Sequence, residues 1–154
     1  LLKKNYFQLL EEDSVIRERR GKLRTNGHEF IKNYEGTYRY SETLDISKNN
    51  VKLINKKRIS IKTEIKDFTE INSDDLRGIY IIKKNDLYYL HNSTCPHEGA
   101  NLKNCLTENN IIKCPWHGRL FKPIKIFKID EDFAIETDQF KFKKKGENLF
   151  YESL

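Results

Sequence analysis

Cys95-Pro-His97-Glu-Gly99 and Cys114-Pro-Trp-His117-Gly118 are the two runs on which the reading of this chain turns. Each holds one thiol and one imidazole, spaced C-x-H in the first and C-x-x-H in the second, with 16 residues between His97 and Cys114. Thiolates and neutral imidazoles bind transition metals, so Cys95, His97, Cys114 and His117 form a candidate ligand set. A tetrahedral zinc can take two of each, but zinc modules usually pair Cys with Cys and His with His. Here each pair is mixed, which suits two loops gripping two unlike irons. Gly99 and Gly118 follow the histidines closely, where a tight loop needs permissive backbone. Pro96 and Pro115 follow the cysteines, and each removes an N–H that would otherwise compete for the sulfur.

Around these runs the chain reads as small and polar. Its 154 residues favour one domain with an appended segment. Only 37% are hydrophobic and 34% are charged, so the core is small and a bound metal would matter for stability. The net charge of +6 gathers at Arg17–Lys22, Lys56–Arg58 and Lys141–Lys145. Such runs are read first as solvated surface, and second as a docking face for an acidic protein partner. No motif for nucleic acid accompanies them, so nucleic acid is not expected as a partner. Two of the three cysteines belong to the ligand runs, which leaves Cys105 alone as a small buried filler. No disulfide framework can then form, and a reducing, cytoplasmic setting follows. No apolar run approaches a transmembrane span, and no secretory leader is visible. The chain begins with Leu and contains no Met, which points to a processed or excised chain.

The apolar pattern divides the chain near residue 60. Leu2, Tyr6, Leu9, Leu10 and Ile16 follow a helical spacing, which predicts a helix over about 2–20 with Gly21 as its stop. The following segment is polar and turn-rich, with Thr37–Tyr40 as a possible short strand. The domain division is therefore 1–60 as an N-terminal extension and 61–154 as the main unit. Short β-rich runs are expected at 51–54, 59–63, 78–82, 87–91, 111–113, 124–129, 133–137, 140–143 and 149–151. Lys83–Asp86 turns one hairpin, which delivers the chain to Cys95. Many short strands separated by turns predict an all-β antiparallel sandwich or small barrel. No internal repeat stands out.

The two runs resemble the Rieske iron–sulfur family over about residues 64–152. Cys95, His97, Cys114 and His117 fall on that family's four ligand positions. The resemblance implies a [2Fe–2S] cluster as cofactor, and antiparallel sheets carrying a smaller cluster-binding subdomain. It also implies one-electron transfer between redox partner proteins, a reductase and a terminal acceptor or oxygenase. High-potential members carry a disulfide between the ligand loops, at positions occupied here by Ala100 and Trp116. They also carry Ser and Tyr hydroxyls where this chain has Arg119 and Phe121. The chain therefore resembles the low-potential ferredoxins and oxygenase domains. Trp116, Phe121, Leu102 and Leu120 are expected to pack over the cluster, and Arg119 to face solvent.

Family oxygenases add a mononuclear iron on two His and a carboxylate. Only His28 and His91 remain for that role, so no catalytic residue is expected in this chain. The first reading is a Rieske-type ferredoxin. The alternative is the N-terminal Rieske domain of a larger oxygenase or hydroxylase, with its catalytic iron elsewhere.

Overall fold

Short strands, several with alternating burial, make up most of the regular secondary structure among the described residues. The computed structural model describes residues 2–25, 43–44, 58–95 and 99–154. In chain order these are helix α1 (Leu2–Thr25) and strands β1 (Thr43–Leu44), β2 (Ser60–Glu64), β3 (Phe68–Ile71), β4 (Ile79–Lys84) and β5 (Leu87–Asn92). There follow β6 (Ile112–Lys113), β7 (Leu120–Phe121), β8 (Lys125–Phe127), β9 (Phe133–Glu136), β10 (Phe140–Lys145) and β11 (Asn148–Ser153). The strand runs expected at 37–40 and 51–54 lie outside the described residues.

The strands make three sheets, ordered β2-β11-β10-β9, β3-β4-β5-β8 and β1-β7-β6. All pairings in the two larger sheets are antiparallel, and only β1 joins β7 in parallel. The all-β fold with an N-terminal helix is therefore as expected. β3, β7 and the two-residue β1 lie outside the expected runs. All are short, and β3 is flanked by charged residues that mask its alternation.

The two larger sheets pack face to face. Ile79, Ile81, Leu90 and Phe127 from one meet Phe140, Phe142, Leu149 and Tyr151 from the other. Each such burial contributes about 2 kcal/mol of transfer free energy. An aromatic row crosses the gap, Tyr88–Phe127–Phe133–Phe142, with ring centroids 5.5, 4.8 and 5.7 Å apart. Strand β10 reads Phe-Lys-Phe-Lys-Lys-Lys and alternates strictly, so Lys144 points inward with 1% exposure. This corrects the solvated reading of Lys141–Lys145 at Lys144 alone; Lys141, Lys143 and Lys145 are exposed as expected. The buried ammonium donates to the carbonyls of Ile129 and Glu131, and lies 5.8 Å from the Phe127 ring centre. A charge shut away from water needs such partners.

The β4–β5 hairpin closes through Asn85 and Asp86, both at positive φ (49° and 63°), the conformation of a primed turn that matches strand twist. At the other end of β4, Gly78 is fixed by close approach. A Cβ there would stand 2.1 Å from the Asn72 carbonyl oxygen and 2.5 Å from Ser93 Oγ. Gly78→Ala is expected to cost about 3 kcal/mol, as overpacking that backbone must move to relieve. Urea denaturation measures this. A change under about 0.5 kcal/mol would mean that the connection yields freely.

Helix α1 continues past Gly21, the expected stop. Tertiary packing outweighs the weak helical propensity of glycine here, because Leu23, two residues further, is 1% exposed. Val15 and Leu10 are exposed, at 66% and 46%. Among the described residues no helix is long and apolar enough to cross a membrane.

Candidate metal centre

A second, smaller core lies under the third sheet. It joins Cys95, Ala100, Leu102, Ile112, Cys114 and Phe121, with Cys105, Leu106 and Trp116 packed at its margin. Leu102 and Phe121 are fully buried, as expected, and Leu120 is half-buried outside this cluster. Strand β5 delivers Cys95 through Ser93 and Thr94, and β6 delivers Cys114 directly.

The two loops that follow are closed in the same way. In the first, Cys95 N–H donates to the Ala100 carbonyl (2.8 Å) and Gly99 N–H donates to the Cys95 carbonyl (2.9 Å). In the second, Cys114 N–H donates to the Arg119 carbonyl (2.8 Å) and Gly118 N–H to the Cys114 carbonyl (2.9 Å). Gly99 and Gly118 occupy the matching position, at φ 86° and 67°, which a side chain would strain. The repeat is Cys-Pro-x-x-Gly in both, and it was legible in the sequence. The histidine differs, at the third place of one loop and the fourth of the other. The expectation of no internal repeat is corrected to this extent.

Both cysteine side chains are buried, at 1% exposure, whereas His117 is exposed. His97 lies outside the described residues. Among the described residues no three Cys, His, Asp or Glu side chains gather as a metal site. The Cys114 thiol is pulled down to about 6, first by a hydrogen bond with the Cys95 thiol. The amides of Trp116 and His117 and the charge of Arg119 act in the same direction, against the penalty of burial. Arg119 is 4% exposed, which corrects the expectation that it faces solvent. Its guanidinium is held in the small core, where its charge favours a neighbouring thiolate.

Cys105 behaves differently. Burial, with the adjacent Cys114 charge, pushes its thiol up to about 11, and Sγ donates to the Lys103 carbonyl at 3.3 Å. It is half-buried, a weaker form of the filler role expected. A cleft of about 520 Å³ opens beside it, lined also by Lys113, Cys114 and Pro115. A larger groove of about 640 Å³ lies on the outer face of the β2-β11-β10-β9 sheet and shares no residue with the cysteine loops.

Of the two spare histidines, His28 lies outside the described residues. His91 is fully buried, and burial lowers its pKa to about 4, so it stays neutral. Its Nδ1–H donates to the Asn92 carbonyl at 2.8 Å, and its ring meets Tyr80 edge-on. Both contacts belong to a core residue.

Two buried sulfurs in hydrogen-bonding contact, at the heads of two matched loops, form the candidate metal centre on an all-β scaffold. The Rieske [2Fe-2S] domain family model matches residues 46–129, more than half of the chain, and the chain belongs to this family. The match begins earlier than the expected 64 and ends before 152. No curated protein and no solved structure matches the chain. A Rieske domain binds a [2Fe–2S] cluster and transfers electrons through it. The site fits such a group. Amide donors and a buried guanidinium beside the paired sulfurs offset the negative charge that thiolate ligands bring.

Proposed function

We propose that Cys95 and Cys114 hold one iron of the cluster, that His97 and His117 hold the other, and that the chain is a one-electron carrier of the ferredoxin type. The observation that carries this reading is the pair of matched loops, with both sulfurs buried together and His117 at the surface. When bound, the cluster supplies a one-electron redox couple, in a window of about −150 to +300 mV for this ligand type. The protein's own residues do the rest. The Trp116 and His117 amides and Arg119 hold the Cys114 sulfur as a thiolate. Leu102, Phe121 and Trp116 keep water from it. The exposed His117 offers an edge to a partner protein.

The reductase and the terminal acceptor are redox proteins that meet this edge. The low-potential assignment rests on Phe121, which cannot donate a hydrogen bond, and on Ala100 and Trp116, which cannot form a disulfide. The buried Arg119 works the other way, since a positive charge favours the reduced state. Its pull offsets part of the effect of the missing donors. The domain division near residue 60 is part of the same proposal. Strand β2 pairs with β11 and so opens the β2-β11-β10-β9 sheet, while the short β1, before the boundary, adds an edge to β7. No catalytic site is assigned, and His91, shut in the core, is no ligand for a second iron.

Anaerobic titration with dithionite should take up one electron per chain, and voltammetry should place the potential in the lower half of the window. The reduced protein should pass that electron to cytochrome c without consuming oxygen on any substrate. Uptake of no electrons, or oxygen consumption coupled to substrate oxidation, would overturn the carrier reading.

A further inference from the structure

The last turns of α1 lie against both cysteine loops. Arg19 is mostly buried, with 15% of its side chain exposed. Its Nε donates to the Gly99 carbonyl at 2.7 Å. One terminal nitrogen donates to Thr94 Oγ1 at 2.9 Å and to the Ser73 carbonyl at 3.2 Å, and the other to Asp74 Oδ1 at 3.4 Å. Thr94 precedes Cys95, and Gly99 is the turning residue of its loop. One guanidinium therefore grips both ends of the first loop and ties them to the β3–β4 connection.

The next residue serves the second loop. The Arg20 guanidinium lies 5.8 Å from the centre of the Trp116 ring. The Trp116 amide in turn supports the Cys114 sulfur. The other cations of this stretch differ. Arg17 and Lys22 pair with Asp13 and Glu18 within the helix, on exposed ground where such pairs contribute little. Leu23, buried at 1%, anchors the helix in this position.

We infer that α1 is a splint across the two cysteine loops, with Arg19 and Arg20 as positioning residues that hold the loops for the cluster and raise its potential. The inference rests on the proposed ligand set. Arg19 supplies fixed donors, and its charge in a half-screened position favours the more negative, reduced state. A bidentate fork is not replaced by an ammonium, so geometry and charge can be separated by substitution.

The test uses the full cluster-loaded chain. Arg19→Gln should speed iron loss to a chelator about tenfold, as loss of supporting hydrogen bonds does in metal sites. It should also lower the reduced-to-oxidised ratio at a fixed applied potential about threefold. Arg19→Lys should lose iron faster but keep that ratio near wild type. Arg20→Gln, which removes the cation from the Trp116 ring, should speed exchange of the Gly118 amide while leaving that of Gly99 unchanged. A helix that merely packs would lower thermal stability without moving the potential. If Arg19→Gln leaves both iron loss and potential unchanged while Cys95→Ser loses its colour, the splint falls and the ligand set stands. If Cys95→Ser and Cys114→Ser keep full iron and colour, the ligand set falls and the splint falls with it.

Discussion

Cys95→Ser and Cys114→Ser should each give a colourless protein with almost no bound iron or sulfide. A serine hydroxyl has the shape of the thiol but stays protonated where a cysteine ionises, and the thiolate is the ligand. The Cys114 sulfur is already drawn toward ionisation by its neighbours, so its loss removes the most prepared anion in the small core. Because a cluster bound only to the folded state contributes to folding free energy, its loss should lower the melting temperature by about 10 °C or more. Cys105→Ser is the control. Its thiol is held protonated and donates to Lys103, a bond that a hydroxyl can also make, so iron, sulfide and visible absorption should be retained. Iron and sulfide assays with a visible spectrum decide the matter. Loss of iron in Cys105→Ser, with retention in Cys95→Ser, would reverse the assignment.

The second large effect is expected away from the sulfurs. Asp75 and Arg77 form a buried ion pair in the turn that leads into β4. Arg77 is 2% exposed and donates to both carboxylate oxygens of Asp75, at 2.9 and 2.7 Å. It also donates to the Leu154 carbonyl at 3.0 Å, while its own carbonyl accepts the Tyr151 hydroxyl at 2.6 Å. Asp75→Ala removes one partner and leaves a guanidinium in the core, which should cost about 4 kcal/mol. Replacing both partners by apolar residues of similar size should cost less than that single change, because no charge is then stranded. The turn also reaches the site. The Asp75 carbonyl accepts from Ser93 Oγ and Thr94 Oγ1, both at 3.4 Å, two and one residues before Cys95. Asp75→Ala keeps that carbonyl but loosens the turn that places it, so it should also weaken cluster retention. Urea denaturation of the single and double variants checks the order, and a single-variant loss below about 1 kcal/mol would contradict it.

What the sequence discloses here depends on range. The cysteine runs were legible because ligand chemistry restricts residue type and spacing within a few positions. The hairpin between β4 and β5 was legible for the same reason, since Asn85-Asp86 suits a turn locally. The inward face of Lys144 was open to reading from the alternation of Phe140 and Phe142, and only the habit of placing lysines in water concealed it. Arg119 is of another kind. Whether a guanidinium is buried depends on groups far along the chain, and nothing in its neighbours announces them. The same holds for Arg19, whose partner Gly99 is 80 residues away. Helix propensity marked Gly21 as an end, while the burial of Leu23 carried the helix through it.

The unequal exposure of the two ends of the site has a consequence for traffic. With both cysteines buried beside Leu102 and Phe121 and His117 exposed, the described part of the proposed centre meets solvent at an imidazole edge. Under the proposed carrier role, donor and acceptor would take turns at that threshold. The protein would then work as a courier, loading, departing and unloading, with its throughput set by how quickly each visitor leaves.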